Sequence, residues 1–241
     1  MEIIPIHIEK EIEPSDDLSE LIISSNQIQD GDVIVIAQKI ISKQERRLVE
    51  LSTVKPSLLS EGISSQYQKD PRITELILSE SKRIIRMKNG ILIVETNDGT
   101  ICANAGIDES NVKDGFATLL PLDSDKSAKN IREKIFKHTN KDVAVIISDT
   151  FGRPFRLGQT NCAIGISGLS PIIDYEGTQD TFGKTLRVTA IAIADELSAA
   201  SELVMGKTLK TPVAIIRDCS FPKGEQGISE LIRAEDEDLF R

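Results

Sequence analysis

A mixed α/β (α+β) fold is what this chain of 241 residues predicts, and three observations carry the prediction. Apolar runs in "DGDVIVIA", "DVAVIIS" and "TPVAIIR" read as strands, the second of them buried on both faces. Stretches with apolar residues at the helical period lie between the runs, so strands alternate with helices. The dipeptide Asn89-Gly90 separates "RIIRMK" from "ILIVET", a hairpin signal that adds an antiparallel sheet. There is no internal repeat, low-complexity linker or break in composition. The expected organisation is one module over 1–241, built as two closely packed subdomains.

The elements follow in chain order. "EIIPIHI" alternates apolar residues at the period of a strand, and Ser15 is placed as the cap of a helix through "DDLSELIISS". After the strand at 33–37 comes "AQKIISKQE". Pro71 stands at the first helical position after Asp70 and opens a helix that yields to a strand near Arg83. Ala128, Ile131 and Ile135 mark a helix ending near His138. The glycine- and aspartate-rich stretch 163–184 favours tight turns and backbone close to a ligand. The longest helix is expected over 186–206, with Leu186, Ala190, Ile193, Leu197 and Val204 as its apolar stripe.

Composition narrows the function. A formal net charge of -9 opposes a general nucleic-acid or anionic-membrane surface, though not a local cationic pocket for one anionic small molecule. No apolar run approaches the ~20 residues that span a bilayer. The N-terminus lacks a basic region and a small-residue cleavage site, so a cytoplasmic protein is expected. Three cysteines without a CxxC pair and two histidines leave little for zinc or a Ser/His/Asp triad. Any metal should be a hard cation held by oxygens.

The densest chemistry is "SDTFGRPFR", at the end of the run 143–148. Residues just past a buried strand's carboxyl end point into the crevice where ligands commonly bind. Asp149 and Thr150 offer two oxygens of the kind Mg²⁺ or Mn²⁺ prefers, and Arg153 and Arg156 offer guanidinium groups for phosphate or carboxylate. A turn cap with two solvated arginines is the alternative. "ICANAGIDESN" supplies Asp108, which completes a two-carboxylate site if the loops meet and is an Asx turn if they do not. Gln38, Lys39 and Lys43 sit after the strand "VIVIA", where lysine either neutralises phosphate or is merely solvated. "MGKT" at 205–208 looks like a P-loop tail. It follows a helix instead of preceding one, and Ser201 replaces the first glycine. Asp195 and Glu196 read as a solvated or salt-bridged helix face.

With "DGDVIVIAQKIISK", "CANAGIDESN", "SDTFGRPFR.GQ", "AIGISGL", the spacing Asp174, Gly177, Asp180, Gly183, and "ADEL…MGK" in this order, nearly the whole chain closely resembles the coenzyme F-420:L-glutamate ligase family. The resemblance implies a fold peculiar to that family with mixed and antiparallel sheets. It also implies a homodimer and an amide ligase that uses GTP to add L-glutamate to the deazaflavin precursor coenzyme F-420-0. It implies two divalent ions, Mg²⁺ or Mn²⁺, with room for a monovalent cation besides. Asp108 and Asp149 match ligands of one ion and Thr150 a ligand of the second. Glu9, Lys10, Glu11, Ile12, Gln38, Lys39, Lys43 and Asn111 match nucleotide contacts, as does the segment from Met205, Gly206, Lys207 and Thr208 to Thr211. Lys43, Arg153 and Arg156 are the candidates for catalytic charge neutralisation.

The chain departs from the pattern at two places. Lys207 stands where the family often has an acidic or amide residue able to bind the second metal, and Arg46 stands where glycine is usual. A C-terminal nitroreductase-like domain, fused in some relatives, is not expected in this length. Two rivals stay open: a metal-dependent phosphotransferase or phosphatase, and a non-catalytic nucleotide- or flavin-binding relative.

Overall fold

The computed structural model describes residues 1–25 and 27–239. Its centre is a five-stranded mixed sheet of β1 (Glu2–Ile6), β2 (Val33–Ala37), β8 (Ala144–Arg153), β9 (Arg156–Ser167) and β12 (Val213–Arg217), in the order β1-β12-β2-β8-β9. Only β2 and β8 run parallel. The central strands have apolar side chains on both faces because both faces are covered: Val33, Ile34, Val35 and Ile36 are fully buried. Helices α1 (Leu18–Ile23) and α5 (Ser124–Thr139) supply residues to the core on one face, and α6 (Ile193–Met205) to the core on the other.

A third core gathers α3 (Leu58–Tyr67), α4 (Pro71–Ser79) and the antiparallel sheet β4 (Ser81–Lys88), β5 (Ile91–Thr96) and β6 (Ile101–Ala103). Helix α2 (Gln38–Gln44) continues directly from β2. The short pair β3 (Leu48–Glu50) and β7 (Phe116–Thr118) follows it in space. Asp70 caps α4 with Pro71 at its first turn, as expected. Asn89 and Gly90 both take positive φ, 51° and 76°, the geometry that a two-residue hairpin requires.

The structure differs from expectation in three places. Helix α1 is capped by Asp17, whose carboxylate accepts from Ser19 N at 2.9 Å, and not by Ser15. The preceding Asp16 is committed elsewhere, to Lys10 and to the backbone N–H of Glu13. Helix α6 begins at Ile193, so α5, with 16 residues, is longer than α6 with 13. Leu186 and Ala190 belong instead to the returning half of a two-stranded arm that includes β10 (Ile173–Asp174) and β11 (Ala190–Ile191). Leu186 N donates to Thr178 O and Gly177 N to Leu186 O, hydrogen bonds that occupy the backbone groups a helix would need. Finally, β8 does not stop at Ser148 but runs to Arg153.

Candidate active site

The overrun of β8 builds the site. Its parallel partner β2 ends at Ala37, opposite Ser148, so from Asp149 onward β8 pairs only with β9. The cleft opens at that step, at the carboxyl edge of the parallel pair, and has a volume of about 470 Å³. One wall is Glu9, Lys10, Glu11 and Ile12, another is Gln38, Lys39 and Lys43, and Met205, Gly206, Lys207 and Thr208 face them. Asn111, Asp149 and Thr150 complete the lining with Asn161 and Glu202.

Asp149 lies half-buried with no hydrogen bond from a side chain among the described residues. Burial, with the Asp108 charge adding to it, pushes its pKa up to about 6 against the opposing pull of Thr150 N–H, Lys39 and Lys207. Asp108 does not line the cleft itself; its carboxylate is 2.7 Å from Nζ of Lys39, which does, and it accepts from the Ser110 hydroxyl at 2.8 Å. Burial opposes its charge, but the hydrogen bonds from Lys39 and Ser110 outweigh that and hold the carboxyl below the usual range. Lys39, which lines the cleft alongside Asp149, links the Asp108 loop to it. Lys43 Nζ donates to Glu11 Oε1 at 2.5 Å and to Asn111 O at 2.9 Å, while Lys210 Nζ pairs with Glu9 at 3.0 Å. The buried Gln38 is structural in its contacts, donating to Ser42 Oγ and Leu119 O.

Two hard carboxylates, one of them without a cationic partner, suit a divalent cation completed by water and phosphate oxygens. No cluster of three or more His, Cys, Asp or Glu side chains fit to hold a metal exists among the described residues, so any such ion draws its remaining ligands from elsewhere. The surroundings of Thr150 are different in kind. Its hydroxyl donates to Asn161 Oδ1 at 2.7 Å and accepts from Lys207 Nζ at 2.7 Å.

Arg153 and Arg156 are not in the cleft. They occupy the exposed tip of the β8–β9 hairpin, where Arg153 donates to the carbonyls of Leu157 and Gly158. Sequence reasoning missed Asn161 and Glu202; the only local signal was an amide interrupting the apolar run of β9. Asp195 is not a solvated face residue either. It is partly buried and accepts from Ala163 N at 2.8 Å, tying α6 to β9. Nearby thiols are unreactive by environment: burial pushes Cys102 up to about 12 and Cys162 up to about 11.

A cleft lined with lysines and carboxylates at the open edge of a mixed sheet defines an α/β protein whose lining suits an anionic small molecule. The F420-0:Gamma-glutamyl ligase profile matches residues 7–218, and the chain belongs to that family. It is 46% identical to the coenzyme F420:L-glutamate ligase of Methanothermobacter thermautotrophicus, over 94% of this chain and 93% of that protein. The ligase of the same name from Methanocaldococcus jannaschii is 44% identical, with 93% and 90% covered. That from Archaeoglobus fulgidus is 38% identical, with 100% and 96% covered. Among the described residues no helix is long and apolar enough to cross a membrane.

Proposed function

We propose that this chain is a GTP-dependent cytoplasmic ligase that joins L-glutamate by an amide bond to coenzyme F-420-0, with Mg²⁺ or Mn²⁺ in the cleft. The observation that carries the reading is convergence. Residues 9–12, 38–40, 43, 111, 149–150 and 205–208, far apart in sequence, wall one cleft, with Asp108 ion-paired to Lys39.

Amide formation in water needs the acceptor's carboxylate oxygen turned into a leaving group. In the proposed reaction that oxygen attacks the γ-phosphorus of GTP, the bond to the β–γ bridging oxygen breaks, and GDP leaves. The resulting acyl phosphate is attacked at carbon by the glutamate amine. The carbon–oxygen bond to phosphate breaks, inorganic phosphate departs, and the amine loses a proton. Asp149 and Asp108 would hold the divalent ion, which when bound neutralises charge on the terminal phosphates. Lys43 and Lys39 are poised for the same charge: each ammonium rests on a carboxylate, Glu11 or Asp108, from which a polyphosphate can draw it. Mass spectrometry of the products from GTP, metal, glutamate and F-420-0 tests the reading. An increment of one or more glutamyl units is expected; nucleotide hydrolysis without that increment overturns it in favour of a phosphatase.

The proposed assembly is a homodimer. Leu157 on the hairpin tip and Phe182 and Val188 on the arm are 98%, 89% and 91% exposed, apolar surface that a second chain would cover. Light scattering is expected to return the mass of two chains. With the tip placed against the substrates of such an assembly, Arg153 and Arg156 would grip the acceptor's anionic groups or the incoming glutamate. Arg153→Ala and Arg156→Ala are then expected to raise KM for one of these substrates. Unchanged KM and kcat in both variants would remove that role.

A further inference from the structure

We infer that Lys207 is a built-in cation that takes the place of a second divalent ion, so that the nucleotide-loaded chain holds one such ion and not two. The inference rests on the nucleotide-and-metal reading of the cleft and concerns its other end, around Thr150.

The lysine follows Gly206, which ends α6 at φ 55° and turns the chain back over the cleft. Its ammonium then meets three oxygens: Thr150 Oγ1 at 2.7 Å, Glu202 Oε1 at 2.9 Å and Asn161 Oδ1 at 3.5 Å. The last of these belongs to a residue only 4% exposed. Every group in the cluster is oriented by another. Asn161 Nδ2 donates to Glu202 Oε2 at 3.0 Å, which turns the amide oxygen toward the hydroxyl and the ammonium. The Thr150 hydroxyl gives its proton to that oxygen, leaving its lone pairs to face Nζ.

A carboxylate, an amide oxygen and a hydroxyl converging on one point are the donor set of a hard cation. Here the point is already filled by a positive charge covalently tied to the chain. A divalent ion at Thr150 would have to expel the ammonium and then sit beside it. A divalent ion and an ammonium held a few ångströms apart repel strongly even at the dielectric of a protein surface, so the residues present do not fit a second metal. Position adds to this. The C-terminal end of α6 carries partial negative charge, which favours a cation at Lys207. The ammonium contributes one positive charge toward a nucleotide's terminal phosphates, without exchange and without dependence on metal supply.

Counting Mn²⁺ retained per chain in the presence of GDP, by electron paramagnetic resonance, tests the proposal without turnover. The unaltered chain is expected to retain one Mn²⁺. Lys207→Gln, which removes the charge and adds an amide oxygen, is expected to retain two. Lys207→Arg, which keeps the charge, is expected to stay at one, and circular dichroism checks that both variants fold. Two ions on the unaltered chain, or one on Lys207→Gln, overturns the inference while leaving the reading of the cleft intact. No Mn²⁺ retained with GDP on the unaltered chain overturns that reading and the inference with it.

Discussion

Asp149→Asn is expected to lower glutamate ligation by about 10²–10⁴, because losing one ligand of a preorganised metal site costs several kcal/mol of transition-state stabilisation. The fold should survive the change. No side chain among the described residues hydrogen-bonds to this carboxylate, so replacing it with an isosteric amide breaks no ion pair, and the amide oxygen can still accept from the Thr150 backbone N–H. Thermal melting of the metal-free variant should therefore match or exceed that of the unaltered chain. Asp108→Asn should show a similar kinetic loss. It also frees Lys39 from its 2.7 Å partner, so nucleotide affinity in the absence of metal should fall less than turnover does. Near-normal turnover in either variant, measured at saturating metal, would refute the assignment of these two carboxylates.

Gly165→Ala should be the most damaging small substitution in the scaffold, at about 2–3 kcal/mol, or roughly 5–10 °C in Tm. A Cβ at this point of β9 would lie 2.4 Å from the main-chain carbonyl carbon of Ser124 and 2.5 Å from its oxygen. Main chain of the first turn of α5 cannot swing aside as a side-chain tip could, so the helix or the strand must shift. Ser124→Gly removes the side chain and keeps the main-chain contact; it should therefore fail to rescue Gly165→Ala. Calorimetry on the single and double variants checks both statements. Full rescue would show that the side chain, not the backbone, makes the close approach.

Why some of this was legible in the sequence follows from the range of the interactions. The buried strands β2, β8 and β12 announce themselves through apolar runs, and the β4–β5 turn through Asn89-Gly90, because burial and turn conformation are set by a few adjacent residues. The first turn of α4 is equally local, resting on Asp70 and Pro71. The start of α6 was not legible. Residues 186–190 suit a helical stripe taken alone, and only the pairing of Ile173 with Ile191 and of Asp174 with Ala190 decides otherwise.

Much of the candidate site was legible only through family resemblance. Spacing alone favoured an Asx turn over a ligand at Asp108, and nothing local places Lys39 against it across 69 positions of sequence. Asn161 and Glu202 escaped notice for the same reason. The first faces Thr150 through cross-strand register, and the second reaches Asn161 through the docking of α6 on β9. The extension of β8 past Ser148, which carries the acid and hydroxyl out of the sheet, depends on a hairpin partner that begins at Arg156.

Burial of the thiols has a practical consequence. Cys102 and Cys162 are held protonated far above neutral pH, and desolvation raises Cys219 as well. Alkylating reagents react with thiolate, so at neutral pH they would largely spare Cys102 and Cys162 and react more slowly than usual at Cys219. A single cysteine introduced on an exposed helix position such as Glu61 would then carry a fluorophore or spin label selectively once Cys219 alone is replaced, with the two buried thiols left in place.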